Sequence, residues 1–198
     1  MTFFNALFSA ALDQNLVFCQ LVGMVVVFLV AERPQDAFRL GGALWIACAA
    51  AGIIGWPVYT YVLEPWGVSY MASVVYLMVS CAVIFIIGAV AALRCPAERR
   101  ASVLRTCALL AVSAAVLAVP LSMAASADVA TFDVALGSAI GSGMGVFIAV
   151  VAFAFIHDRI DERLVPGVLR GVPISLITAA LMALAFTGVA GIAGGLFV

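Results

Sequence analysis

The sequence predicts an all-α polytopic membrane protein with six transmembrane helices and both termini outside. Three observations point there. Of the 198 residues, 67% are hydrophobic and only 10% are charged, whereas a soluble domain is about half apolar and roughly a quarter charged. No water-facing surface can be built from that composition, so the solvent is lipid. Six apolar runs are each long enough to cross a bilayer, which takes about 20 residues in a helix. Finally, all nine basic residues are arginines, and they fall in three of the gaps between those runs. Basic loops beside membrane spans stay cytoplasmic, so the other gaps and both termini lie outside. The net charge of -1 carries no signal for nucleic acid, because its distribution matters and its sum does not.

The first run covers residues 3–31. It lacks the basic head and small-residue cleavage site of a signal peptide, so it is expected to be retained. Asp13, Gln14 and Asn15 interrupt it, and Gln20 follows. An aspartate at the centre of a span costs about 2.5–3.5 kcal/mol on the lenient insertion scale. The group is therefore expected to face protein or a water-filled cavity, or else to lie near the outer headgroups. Arg33 and Arg39 mark the first gap, before the second run at 38–63. The outer connection beyond it carries Trp56, Tyr59, Tyr61, Trp66 and Tyr70, amphipathic rings that favour the headgroup layer.

The third run, 68–94, leads to the second basic gap, with Arg94, Arg99, Arg100 and Arg105. The fourth run, 102–125, is weakened by Ser113 and by Pro120, which has no backbone donor. The fifth, 133–157, contains Gly137, Gly141, Gly143 and Gly145 with Ser138 and Ser142 between them. Small residues four apart let helix backbones approach. Packing is the preferred reading, and a half-broken helix lining a pathway is the other. His157 closes this run and is expected at a solvated helix end rather than in a proton relay. A single histidine cannot give bis-histidine haem ligation. Arg159, Arg163 and Arg170 fill the last basic gap. The sixth run, 172–198, ends in Gly188, Gly191, Gly194 and Gly195, which invite the same two readings as the fifth.

None of the runs alternates polar and apolar residues, which argues against a barrel. The connections are short, so sequential helices are neighbours and antiparallel. Residues 1–198 read as one integral membrane domain, with repeat halves of about 1–95 and 96–198. Three spans per half is an odd number, so the halves have inverted topology. The two interrupted runs, first and fourth, hold matching places in those halves, and such a match points to a midplane site. The ion-path candidates are accordingly Asp13, Gln14, Asn15, Gln20 and Ser113. Cys19, Cys48, Cys81, Cys95 and Cys107 form no CxxC pair, and each is expected as a small buried hydrophobe. No catalytic residue, metal-ligating cluster, or nucleotide, flavin or quinone motif is visible.

The run from Ala135-Leu-Gly-Ser-Ala-Ile-Gly-Ser-Gly-Met-Gly-Val-Phe through Phe155-Ile-His-Asp-Arg-Ile resembles the C-terminal half of the RnfA/NqrE family. The most specific match is the stretch that begins Arg170-Gly-Val-Pro-Ile-Ser-Leu-Ile-Thr-Ala-Ala-Leu-Met. Asn15-Leu-Val-Phe-Cys-Gln-Leu-Val-Gly-Met resembles the family's first-span motif, and Ala115-Val-Leu-Ala-Val its fourth. The resemblance is full-length, strong from Ala135 onward and weak across the second and third spans. It implies an integral subunit of an Rnf/Nqr-type ion-translocating electron-transfer complex in a bacterial or archaeal cytoplasmic (inner) membrane. It also implies a homologous RnfE/NqrD-like partner of opposite orientation, with other complex subunits carrying the cofactor chemistry.

In the family, each of the two partners supplies two midmembrane cysteines to a shared [2Fe-2S] centre. Here the matching positions are Val25 (with Val26 in place of the following proline) and Ala114. Neither side chain can ligate iron, which takes thiolate. The cluster is therefore expected to be absent or displaced. Cys19 and Cys107 stand six and seven residues before those positions, roughly 9–10 Å along a continuous helix. They are the candidate displaced ligands, with inert buried thiols as the alternative reading. A redox-free inverted-repeat transporter with Asp13 as its ion site is the second function this pattern allows, and a packing scaffold the third.

Overall fold

The computed structural model describes residues 3–20, 22–24, 34–94, 96, 100, 103, 104, 107, 108, 110, 111, 113–125, 131–161 and 163–196. Val25, Val26, Arg33, Cys95, Arg99 and Arg105 lie outside the described residues. Among the described residues the protein is helical, without strands.

Every apolar run carries helix. They are α1 (Phe3–Phe8), α2 (Pro34–Val58), α3 (Ala72–Arg94), α4 (Ala114–Ala125), α5 (Phe132–Asp158) and α6 (Val172–Leu196). Ser9–Asp13 extends α1, and Tyr59–Leu63 extends α2, each as a wider π turn. Three helical stretches among the described residues are long and apolar enough to cross a membrane: Ala37–Leu63, Ser69–Leu93 and Phe132–Asp158. Phe3–Asp13, Ala114–Ala124 and Val172–Gly188 are shorter apolar helices. The short ones at Phe3 and Ala114 belong to the two runs with polar interruptions.

α5 is the axis of the fold, and its glycines explain why. A Cβ at Gly137 would stand 2.6 Å from the carbonyl oxygen of Phe3, and one at Gly145 would stand 2.7 Å from that of Ala11. Gly141 faces Leu7 in the same way. Residues four apart on α5 thus meet residues four apart on the first segment, in ascending order, so the two run parallel. Only a helix face without side chains permits such approach. On its other side, Gly143 borders Trp45 and Cys48, and Gly52 of α2 borders Ala139. There the order descends, and α2 and α5 are antiparallel. The indole Nε1 of Trp45 donates to the Ile140 carbonyl at 3.3 Å. Close packing is therefore what the fifth-run glycines do, as their spacing predicts. Gly188 of α6, by contrast, borders open space among the described residues.

The aromatic side chains around the connection from α2 to α3 differ in exposure. Tyr61, Trp66 and Tyr70 are exposed, while Trp56 meets Phe132 at the start of α5 edge to face, 5.4 Å between centroids. At the opposite end His157 departs from the solvated helix end expected of it. Its ring is half-buried, stacks on Phe153 and pairs through Nε2 with Ser175 Oγ at 2.9 Å. Ser175 in turn donates to the Gly171 carbonyl, so His157 ties α5 to the first turn of α6.

Gly141→Leu places a branched side chain against the backbone of Leu7. It is expected to unseat α1 and to destabilise the protein by about 1–3 kcal/mol, the usual range for overpacking. Denaturation in mixed detergent micelles measures this, with the open-faced Gly188→Leu as the near-neutral control.

Candidate functional site: two broken helices in contact

The first interruption is built by one side chain. After the π turn the chain leaves helical geometry at Gln14, whose N–H donates to Ser9 O at 2.9 Å. Asn15 follows and is wholly buried. Its Nδ2 donates to Ala11 O and to Gly145 O on α5, each at 3.1 Å. Its Oδ1 accepts from Val17 N at 3.0 Å and Phe18 N at 3.3 Å. A carboxamide has two donor hydrogens and two acceptor lone pairs, and all four are engaged. Asn15 therefore pairs the backbone groups that the break sets free and fixes the break to α5.

Beyond it the chain turns through residues 16–20, with Leu16, Val17 and Phe18 buried. Phe18 stacks on Phe186 of α6 at 4.3 Å. Gly23 follows with φ at +81°, a conformation costly for any residue with a Cβ.

The second interruption lies at Ser113. Val103, Leu104, Cys107, Ala108, Leu110 and Ala111 are helical, Ser113 is not, and α4 starts at Ala114. The Ser113 N–H donates to Leu110 O at 3.0 Å, and Val116 N donates to Ser113 O at 3.3 Å. Pro120 sits inside α4 without ending it, so among the described residues the break lies at Ser113. The two breaks touch. A Cβ on Gly23 would lie 2.9 Å from the Ala115 Cβ and 3.8 Å from Ser113 Oγ.

The sequence-predicted site residues are thus only partly gathered. Asn15 and Ser113 are buried at the breaks. Asp13 is half-buried at the end of the π turn, and Gln14 and Gln20 are exposed. Cys19 is exposed too, contrary to the burial expected of it, and its Sγ donates to the Asp13 carbonyl at 3.3 Å. Cys48 is buried as expected; Cys81 and Cys107 are half-buried. Cys107 faces Gly88 of α3, where a Cβ would stand 2.6 Å from its Sγ. It lines an apolar cleft of about 180 Å³ with Ile84, Phe85 and Leu104.

These thiols have unrelated neighbours, one a backbone carbonyl and the other a glycine on a different helix. Ala114, which the resemblance set against the family's second ligand, is exposed and has no ligand atom. Among the described residues no group of three or more His, Cys, Asp or Glu side chains is assembled for a metal. Among the described residues nothing brings Cys19 and Cys107 together as a ligand pair.

Apolar helices able to cross a membrane, packed through a glycine seam around a broken first segment, define an integral membrane protein. The family model described as "Rnf-Nqr subunit, membrane protein" matches residues 3–193, and the chain belongs to that family. It is 27% identical over 191 residues to a component of the Na(+)-translocating ferredoxin:NAD(+) oxidoreductase complex of Acetobacterium woodii, covering 96% of this chain and 98% of that one. It is 27% identical to a component of the proton-translocating ferredoxin:NAD(+) oxidoreductase complex of Clostridium ljungdahlii, over 92% of this chain and 93% of that one. It is 29% identical to a component of the ion-translocating oxidoreductase complex of Cereibacter sphaeroides, over 96% and 97%.

Asn15→Leu conserves size and leaves Gly145 O and the Val17 and Phe18 N–H groups without partners. An unpaired buried polar group costs about 1–3 kcal/mol, with partial relief because unfolded segments in a membrane also find partners. A loss of about 2–4 kcal/mol is expected. The same micelle denaturation measures it, and Gln14→Leu, at an exposed neighbouring position, should stay near wild type.

Proposed function

We infer that this chain is the RnfA-type membrane component of an ion-translocating electron-transfer complex. Relatives that match it over nearly their whole length are components of such complexes. The observation that carries the reading is the contact of Gly23 with Ser113 and Ala115, joining interruptions at matching places in two three-helix halves. We read the chain as six spans in inverted halves, about 1–95 and 96–198, with both termini outside the cytoplasmic membrane. The parallel course of α1 and α5 and the antiparallel course of α2 and α5 support that alternation.

The chain forms part of a transmembrane electron or ion path at its boundary with a homologous RnfE/NqrD-like subunit of opposite orientation. Exposed polar groups at the first break, Gln14, Cys19 and Gln20, mark that boundary, and Gly188 on α6 offers a second uncovered contact. Within the path, Asp13, Gln14, Gln20 and Ser113 supply polarity. Asn15 holds the break in shape, since its hydrogen-bonding positions are all in use. Without thiols at positions 25 and 114, this chain contributes no ligand to a shared cluster in the family manner. That absence of ligands is what keeps the redox-free transporter as the second reading.

Two measurements separate these readings. Expressed with its neighbouring subunits, the tagged chain is expected to co-purify with the homologous membrane partner; ion or solute uptake by liposomes holding this chain alone would support the transporter instead. In whole cells, R39C and R163C should react only with a membrane-permeant maleimide, and W66C with an impermeant one. Impermeant labelling of R163C would overturn the topology.

A further inference from the structure

Among the described residues, two buried hydroxyls have no hydrogen-bond partner: Ser80 Oγ on α3 and Ser113 Oγ at the second break. Ser80 is 3% exposed and Ser113 is 7% exposed. A hydroxyl in that position ordinarily bonds a carbonyl one turn back, as Thr178 does to Ile174 at 2.8 Å and Ser122 does to Val119 at 2.9 Å in this same protein. An unpaired buried hydroxyl is costly, and two of them call for a common explanation.

Their positions supply it. Gly88 of α3 faces Cys107. Three turns earlier, Tyr76 meets Gly55 beside Pro120: a Cβ on Gly55 would lie 2.7 Å from Pro120 Cβ and 3.6 Å from Tyr76 Cε1. α3 thus runs antiparallel to the fourth run, with Cys107 and Pro120 as the two ends of the register. Tyr76, Ser80, Ile84 and Gly88 lie on one i, i+4 ridge of α3. Interpolating along that ridge brings Ser80 within about one turn of Ser113, roughly 5 Å along the helix axis. The two hydroxyls do not bond each other.

We propose that Ser80 and Ser113 bind an ordered water molecule between α3 and the start of α4, beside the contact of the two breaks. The ligand class follows from the surroundings. A buried water needs two to four polar partners. The two hydroxyls supply two, and the first turn of α4 presents N–H groups that a helix cannot pair internally. That turn is the positive end of the α4 dipole, which disfavours a cation. Ile84, Leu110, Ala115 and Val116 are buried in the same core, and apolar walls disfavour an anion. The site selects a neutral guest that both donates and accepts. It hydrates the second break where Asn15 saturates the first.

The test is a structure of the assembled complex in lipid nanodiscs, at a resolution that shows ordered water. Density within hydrogen-bond distance of both hydroxyls is expected. In S80A/S113A that density should vanish while α3 and α4 stay in place. Hydroxyls turned onto backbone carbonyls, with no solvent density between them, would overturn the proposal. A second measurement separates water from a cation. The thermal midpoint should be the same in sodium, potassium and choline chloride; a sodium-specific rise lost in S113A would assign the site to a cation and overturn the proposal.

Discussion

Lipid offers no hydrogen bonds, so a spanning chain must pair its own backbone. A continuous helix does this automatically, and a broken one does not. The fold depends on how the break after Asp13 is reconciled with that constraint. One carboxamide does it, taking two N–H groups from the descending chain and giving its own two hydrogens to Ala11 and to Gly145. The bond to Gly145 is also the reason the first segment and α5 keep a single register. Glycines 137, 141 and 145 then let the two backbones lie against each other, and dispersion along that seam replaces the hydrophobic effect, which is weak between helices in lipid.

The two breaks meet the same constraint by different means. At the first, a side chain of the chain itself fills every vacancy. At the second, Ser113 has a single hydroxyl with no protein partner among the described residues, and α4 begins with no side-chain cap from it. The contact at Gly23 works only because that residue has no Cβ and adopts a positive φ. The two breaks therefore touch but differ in the chemistry that each one uses.

Much of this is legible from residues alone. The polar triplet at 13–15 and the serine at 113 mark both breaks, because polar groups in an apolar run must have a local reason. The four-residue glycine spacing announces the seam. Pro120 reads as a weak point of the run, and α4 carries it without a break, with Gly55 making room alongside. The saturation of Asn15 is not legible, since its partners at Gly145 and Ala11 depend on tertiary registration. Nor is the direction of Cys107, which helix arithmetic places near the break and packing turns toward Gly88. Ser80 gives only a faint signal: one hydroxyl four residues from Tyr76 and from Ile84 on an otherwise apolar face.

The seam between the first segment and α5 joins stretches 130 residues apart. A segment of α1's length has little helical stability of its own, and its anchoring partner emerges from the ribosome only when most of the polypeptide has been made. Residues 3–13 are therefore made well before the helix that lines their glycine seam. A nascent chain halted before Gly145 lacks both the carbonyl that receives the Asn15 carboxamide and the bare helix face that seats residues 3–11.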